Sequence, residues 1–232
     1  MSAPADNIPE YLETHTVRLC QNLSRVDSLL DLHSFASSLL EQHQQLPTDY
    51  RTSDGEPPTV DDILRSATVL LHASLEDCLR TIALAHLPRK PSELLKQIPI
   101  VGTGQRPAKV TLSDLTVHSG KTVDSVVEES LNAWLHQQSF NNCADISNML
   151  SHLEIDGGYC NSDFALLEEM ISRRHRIVHN ADRTAAPAPD AETLLAISAS
   201  SVQQWRNAVQ QFMQRTLYQL HLVVEGDTKT AS

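Results

Sequence analysis

The sequence predicts an all-α protein, a helical bundle with one irregular insertion and a long C-terminal helix. Three observations support this fold class. Gly accounts for only 7 of the 232 residues and aromatic side chains for 4%, whereas Leu, Ala and Gln, which favour helices, are abundant. Several long stretches repeat apolar residues three and four positions apart, which places them on one face of a helix. Hydrophobic residues make up 41% of the chain, enough to bury a substantial core.

The first half contains two predicted helices. The helical spacing of apolar residues ends at Pro47, because proline cannot continue a helix. Residues 47–58 are rich in Pro, Asp and Gly, which is typical of a loop. A second helix begins near Thr59, with Asp61 and Asp62 in its first turn, where the helix dipole favours acidic groups. Its apolar residues nearly encircle the axis, which predicts a helix at the centre of the bundle.

Residues 88–121 interrupt the helical pattern. Four prolines in this stretch limit the length of any helix. We expect an irregular insertion with a short helix at 92–98 and a strand-like piece at 109–112. The glycines and the lysine of residues 101–109 lack the spacing of a phosphate-binding loop, so this segment is predicted to be an ordinary loop.

The second half resumes the helical pattern. Three further helices are predicted there, at 122–138, 141–153 and 161–180. A break rich in Pro and Ala at 184–192 precedes a last helix over about 192–223, and the tail at 225–232 is expected to fray. The predicted organisation is a helical domain over 1–186, followed by residues 187–232, which form a C-terminal helix packed on the bundle and a short tail.

Charge and cysteine content exclude several classes of protein. The net charge of -11 and the sequence pI of about 5.4 argue against a broad surface that coats nucleic acid. The four cysteines are widely spaced and match neither a zinc pattern nor a disulfide framework, which is typical of reduced thiols in a cytosolic protein. The sequence has no apolar run of membrane-spanning length and no signal-like N-terminus, so we expect a cytoplasmic protein without a membrane partner.

Residues 171–183, ISRRHRIVHNADR, form the largest charge anomaly of this acidic chain. The stretch holds four Arg and two His against one Asp. Helical phase places Arg174 in the middle of a predicted apolar face. The apolar members of that face are Phe164, Leu167, Ile171 and Val178. Because an unpaired buried guanidinium is costly, Arg174 either pairs with a carboxylate inside the bundle, such as Glu76, or lies where the face opens into a cleft or a dimer interface.

Two histidines accompany this arginine. His175 and His179 are four residues apart and lie on the edge of the same face. An arginine beside two imidazoles can bind a phosphate, exchange protons near neutral pH and stabilise developing negative charge. Arg174, His175 and His179 are therefore the candidate catalytic residues. The sequence HRIVH lacks the glutamate of the H-E-x-x-H zinc motif and no third ligand follows it, so no metal is predicted.

Other residues are candidates for supporting roles. The candidate substrate-binding residues are Arg173, Arg176 and Arg183. Helical phase points the first two towards solvent. Two further residues are candidates for holding the catalytic side chains in place without contacting substrate. They are Asn180, at the helix end, and Glu76, on the central helix. Glu76 also lies four residues before Arg80, the spacing of an ordinary ion pair along a helix.

The run RHRIVH at 174–179 fits the R-[polar]-x3-H signature of the HEPN superfamily (higher eukaryotes and prokaryotes nucleotide-binding). Two upstream segments, LLHASLEDCLR at 70–80 and AWLHQQSFNNCADISNML at 133–150, also look like its ribonuclease-toxin branch, RiboL-PSP-HEPN. The resemblance spans about residues 25–182 of the chain.

This resemblance implies an all-α bundle that forms a homodimer and brings two copies of the motif into one composite cleft. Active relatives resemble endoribonucleases that need no metal or other cofactor. In that scheme His179 would act in acid–base chemistry on the ribose 2′-OH or the leaving oxygen, and Arg174 would hold the scissile phosphate. His175 would orient the site or bond to the phosphate. The RNA products would carry a 2′,3′-cyclic phosphate. The protein would serve as a toxin or an antiviral defence effector, restrained by a neutralising antitoxin or a regulatory protein.

Two other functions stay open at this point. A non-catalytic HEPN-like module that binds nucleotide, RNA or a protein partner would agree with the overall acidity. A purely structural interaction protein would require Arg174 to be fully paired inside the bundle, with both histidines far from any cleft.

Overall fold

The computed structural model describes residues 10–42, 59–89, 93–102, 111–184 and 193–230. Within these ranges the chain forms seven α-helices and no β-strand, which confirms the all-α class. The helices are α1 (Glu10–Gln42), α2 (Asp61–His86), α3 (Leu112–Thr116), α4 (Val123–Gln137), α5 (Cys143–His152), α6 (Asn161–Asn180) and α7 (Ala199–Thr230). Three short 3₁₀ segments separate some of them, at Leu87–Arg89, Leu95–Gln97 and Gly157–Cys160.

Several sequence-based expectations concern residues outside these described ranges. They are the loop at 47–58, Ser92 of the predicted short helix, residues 103–109 of the glycine-containing loop, residues 109–110 of the strand-like piece, residues 185–192 of the Pro/Ala break and the last two residues of the tail.

Helix α2 occupies the centre of the bundle, as its apolar pattern predicts. It packs against α1, α6 and α7 and also contacts α4. The buried apolar residues of α2 are Leu64, Ala67, Leu71, Leu75, Cys78, Leu79, Ile82 and Ala83. Because they point to several sides of the helix, α2 is buried by neighbours on more than one face.

Helix α7 packs back on the bundle through contacts with α1, α2 and α6. Its inner face buries large apolar side chains, which are Val202, Trp205, Val209, Phe212, Met213 and Leu220. The predicted bounds of this helix were wrong at both ends, because α7 starts at Ala199 and continues to Thr230. The start is late because Leu194 forms an antiparallel bridge with Arg183, and a residue in such a bridge cannot also be helical.

The insertion contains less strand character than predicted. Thr111 is extended but serves as the N-cap of α3, and Leu112 is already helical. The side chains of Thr111 and Asp114 each bond to the other's backbone N–H, which forms a capping box. This local hydrogen bonding favours a helix start over the β preference of the neighbouring residues. Leu95–Gln97 forms a single 3₁₀ turn within the predicted short helix.

The apolar face of α6 is shorter than helical phase alone predicts. Leu167, Met170 and Ile171 are buried, whereas Val178 is 49% exposed. The face therefore leaves the core after Ile171, and the last turns of α6 project beyond the packed centre. Arg174 does not interrupt a buried apolar face, since that face ends one turn before it.

No helix among the described residues is long and apolar enough to cross a membrane.

Candidate functional site

The last two turns of α6 carry the three candidate catalytic residues. His175 and His179 are exposed, and their ring centroids lie 4.4 Å apart with the planes tilted by 44°. The four-residue spacing produces this proximity, because residues i and i+4 of a helix lie on the same face. Arg174 is half-buried, and its Nε atom is buried without a hydrogen-bond partner among the described residues. This end of α6 therefore places two accessible imidazoles beside a partly desolvated guanidinium.

Glu76 does not pair with Arg174. Its Oε2 lies 3.3 Å from Nη1 of Arg80, which is the predicted pair along α2, and its Oε1 accepts a hydrogen bond from the backbone N–H of Phe140 at 3.4 Å. Arg80 donates from Nη2 to the carbonyl of Gln138 at 2.9 Å. The two residues thus anchor the chain that follows α4 to the central helix. Arg174 forms no ion pair with a carboxylate among the described residues.

His72 is a buried imidazole beside this network that the sequence did not single out. Its Nε2 lies 3.1 Å from the carbonyl oxygen of Phe140. Burial is the main reason that the pKa of His72 is lowered, and the charges of Arg174 and Arg80 lower the pKa further, against the opposing charge of Glu76. His72 is therefore neutral near pH 7, and Arg174 lies close enough to influence its protonation.

A cleft of about 870 Å³ lies beside the C-terminal part of α6. Its lining residues are Asn141, Ser172, His175, Arg176, Asn180, Arg183, Thr184 and Leu195. The structure thus brings together one candidate catalytic residue, two candidate substrate-binding arginines and Asn180. Arg174 and His179 do not line this cleft. They lie on the same two turns of α6 as His175 and Arg176.

A second cleft of about 430 Å³ adjoins the first, and the two share Ser172 and Arg176 in their walls. It reaches along α6 to Ser198 and Ser201 at the start of α7. Arg176 is exposed and no described acidic residue forms an ion pair with it, so its charge is available at the junction of the two clefts.

Arg173 does not point to solvent, contrary to the helical-phase prediction. Its side chain is only 16% exposed, and Nη2 lies 2.7 Å from Oδ2 of Asp182, a carboxylate that is 0% exposed. Nε of Arg65, on α2, donates to the same carboxylate oxygen at 2.8 Å. Helical phase alone predicted a solvent-facing side chain. That prediction was wrong because the chain folds back after α6 and covers the side of the helix that carries Arg173.

The paired residues Arg65 and Asp182 were both missed by sequence reasoning. Arg65 could have been found by the criterion applied to Arg174, since it lies on α2 between the buried residues Leu64 and Ala67. Asp182 offers no such signal, because it follows the helix and its partner on α2 is 117 residues away. Only folding brings them together.

The described chain contains no group of three or more His, Cys, Asp or Glu side chains arranged to hold a metal ion. Cys20, Cys78 and Cys143 are free thiols. Burial raises the pKa of Cys78 and of Cys143 to about 12, so neither is a reactive thiolate at neutral pH.

The helical bundle and the motif at the end of α6 agree with comparison to known proteins. The sequence model of the RiboL-PSP-HEPN family matches residues 25–221, which covers most of the chain and ends within α7. The protein therefore belongs to the RiboL-PSP-HEPN family of the HEPN superfamily. No curated protein and no solved structure is significantly similar to the chain.

Proposed function

We propose that this protein is an endoribonuclease that cleaves RNA by attack of the ribose 2′-OH, without a metal ion. The observation that carries the proposal is the pairing of two exposed imidazoles, 4.4 Å apart, with a half-buried guanidinium whose Nε lacks a partner among the described residues. An unpaired, partly desolvated arginine favours an anionic ligand, because a phosphate supplies the missing acceptors.

The chemistry assigns a distinct role to each catalytic candidate. His179 accepts the proton of the 2′-OH as its oxygen attacks phosphorus, and an imidazolium donates a proton to the departing 5′-oxygen. Arg174 holds the scissile phosphate and the negative charge that accumulates on it. His175 orients the phosphate through a hydrogen bond. The products are a 2′,3′-cyclic phosphate and a 5′-hydroxyl.

The cleft walls suggest how the RNA strand is held. Arg176, Arg183 and Asn180 lie in the large cleft and serve as phosphate or ribose ligands. Arg173 is committed to Asp182, so we assign it to the framework of the site. Glu76 supports the site by anchoring the segment around Phe140.

Because His175 is assigned to the phosphate, one chain supplies a single histidine for acid–base chemistry, whereas the reaction needs both a base and an acid. We therefore propose that a second copy of the chain completes a composite site, with one His179 acting as base and a histidine of the partner subunit as acid. In the cell the enzyme would be a cytoplasmic toxin or antiviral defence effector, held inactive by a neutralising antitoxin or a regulatory protein.

The direct test is incubation of the purified protein with single-stranded RNA in excess EDTA. We expect cleavage, and we expect His179→Ala and Arg174→Ala each to reduce its rate about 100-fold or more. The 3′ ends should resist enzymes that require a free 3′-hydroxyl until the cyclic phosphate is removed.

The control variants are His152→Ala and Arg25→Ala. Both residues are exposed and lie away from the end of α6, on α5 and α1, so their loss should leave the rate unchanged. Absence of cleavage in EDTA, or an equal rate for wild type and His179→Ala, would rule out the proposed enzyme.

A second candidate function is a non-catalytic module that binds nucleotide, RNA or a protein partner. The net charge of -11 favours it, because a processive or broadly RNA-binding enzyme normally carries a wide basic surface. Binding of labelled RNA without turnover, abolished by Arg174→Ala, would support this alternative over the enzyme.

A further inference from the structure

Asp182 joins three parts of the molecule at the point where α6 ends. Its carboxylate is 0% exposed. Oδ2 accepts hydrogen bonds from Nε of Arg65 at 2.8 Å and from Nη2 of Arg173 at 2.7 Å. Arg65 also lies 3.0 Å from Oδ1 of Asp62 on its own helix. Burying a carboxylate between two arginines avoids the cost of an isolated buried charge, and loss of one member leaves the others uncompensated.

The same residue sets the direction of the chain after α6. Ala181 and Asp182 have φ angles of 48° and 58°, the left-handed region that non-glycine residues rarely adopt. The backbone N–H of Asp182 donates to the carbonyl of Arg176 at 3.2 Å, and its carbonyl accepts from the N–H of Leu195 at 2.9 Å. Two consecutive non-glycine residues in this conformation are strained, so surrounding contacts must hold them there.

Arg65, Arg173 and Asp182 form a buried cluster, and its two arginines also bond to the chain segment at 193–196. Nη2 of Arg65 donates to the carbonyl of Leu195 at 2.8 Å. Nη2 of Arg173 donates to the carbonyls of Leu195 and Ala196 at 2.9 and 3.0 Å. Leu195 lines the large cleft together with His175 and Arg183. The cluster therefore holds both the helix end that carries the histidines and the segment that faces it.

We propose that Asp182 is a positioning residue for the catalytic site, acting through Arg65 and Arg173 to hold the last turn of α6 against residues 193–196. This proposal rests on the proposed ribonuclease function. Asp182 itself does not contact RNA, since its carboxylate is buried under two guanidinium groups. Its effect is geometric, because the final turn of a helix frays unless tertiary contacts restrain it, and His179 lies in that turn.

The test is Asp182→Asn, which keeps the size of the side chain and removes its charge. At saturating RNA we expect kcat to fall about 10- to 100-fold, the range expected for misplacing a catalytic group by about 1 Å, with KM changed by less than about 3-fold. The matched control is Asp27→Asn. Asp27 forms a two-point ion pair with Arg206 at 2.8 Å for each bond, between α1 and α7. Both variants are compared at a temperature where circular dichroism shows them fully folded.

The control separates positioning from general stabilisation. Asp27→Asn should lower the melting temperature and leave kcat unchanged. If Asp182→Asn likewise lowers the melting temperature and leaves kcat unchanged, Asp182 is a structural residue and the proposal is overturned. Should Asp182→Asn fail to fold, Arg65→Lys replaces it, because lysine keeps the charge and cannot make the forked contacts. A lower kcat for Arg65→Lys supports positioning, and an unchanged kcat overturns it.

A second measurement does not depend on catalysis. Amide hydrogen exchange of residues 176–183 and 193–196 should be faster in Asp182→Asn than in wild type, and the ring NMR signals of His175 and His179 should shift, with neither change in Asp27→Asn. Unchanged exchange and unchanged ring signals would overturn the positioning role even if RNA is cleaved. If wild type cleaves no RNA while these signals do move, the proposed function fails and the geometric link from Asp182 to the histidines stands.

Discussion

At the scale of single residues, the surroundings of a charged group decide what it can do. Arg173 and Arg174 are neighbours in the chain, and each has a buried Nε without a hydrogen-bond partner among the described residues. Arg173 nevertheless donates through Nη2 to a fully buried carboxylate, whereas no described carboxylate forms an ion pair with Arg174. A paired guanidinium is committed to its partner, because loss of either member would leave a buried charge uncompensated. An unpaired one has N–H groups that can donate to a phosphate. The difference of one residue is a rotation of about 100° around the helix axis.

Buried histidines make the protein sensitive to acid. Burial, together with the nearby charges of Arg89 and His15, lowers the pKa of His86 to about 4. Between pH 6.5 and 4 the unfolded chain binds a proton at this position that the folded chain does not, so stability falls as pH falls through this window. His72 and His15 also have lowered pKa values, mainly through burial, and they act in the same direction.

We therefore expect the wild type to lose about 1–2 kcal/mol more unfolding free energy than His86→Gln between pH 7.5 and 4.5. Glutamine is neutral at both pH values and cannot contribute this proton uptake. Urea unfolding at the two pH values measures the difference, with the exposed His152→Gln as the control. An equal loss in wild type and His86→Gln would show that His86 titrates normally in the folded protein.

At the scale of secondary-structure elements, the sequence predicted α6 well and did not predict the turn that follows it at 181–183. The predicted bounds 161–180 agree with the observed helix, because its apolar spacing is regular and no breaker interrupts it. The chain leaves α6 through Ala181 and Asp182, which both have left-handed backbone conformations. Neither is a glycine, the residue that would mark such a position in the sequence. The chain adopts this turn because Asp182 is held by distant partners.

The exit of α6 can be made more stable by a local change. Ala181 is exposed with φ at 48°, so Ala181→Gly should remove the steric strain of the left-handed conformation without losing packing. We expect a gain of about 0.5–1 kcal/mol, since the strain of 1–2 kcal/mol exceeds the added entropy of the unfolded glycine chain. Thermal unfolding measures it.

The opposite substitution provides the control. Ala181→Val should destabilise the protein, because a β-branched side chain tolerates the left-handed region poorly. A melting temperature that does not rise for glycine, or that does not fall for valine, would mean that this turn is not strained in solution.

At the scale of the whole molecule, the proposed mechanism requires a second copy of the chain. Val178 lies between His175 and His179 in the chain and is 49% exposed among the described residues, which leaves an apolar side chain accessible on the end of α6. A partner subunit seated on the end of α6 would cover it and bring a second motif close.

Light scattering coupled to size-exclusion chromatography tests this requirement. We expect a mass of twice the 25.7 kDa of one chain for the wild type. Val178→Asp should shift the protein towards monomer by placing a charge in the interface, and should lower RNA cleavage in parallel. Leu112→Asp is the control, since Leu112 is 84% exposed on the insertion. A wild type that is monomeric at assay concentration would contradict the composite site.

The sequence by itself determined the helical class, the central place of α2 and the candidate residues Arg174, His175 and His179. These follow from the local spacing of apolar and charged residues, and such spacing can be read from the chain. Only the tertiary structure decided that Arg173 turns inward, that Arg174 stays unpaired among the described residues and that Asp182 organises the helix end. Those outcomes depend on groups such as Arg65, which lies 117 residues away from Asp182. Long-range pairs of this kind form only when the packed core brings their helices together, and no local pattern encodes them.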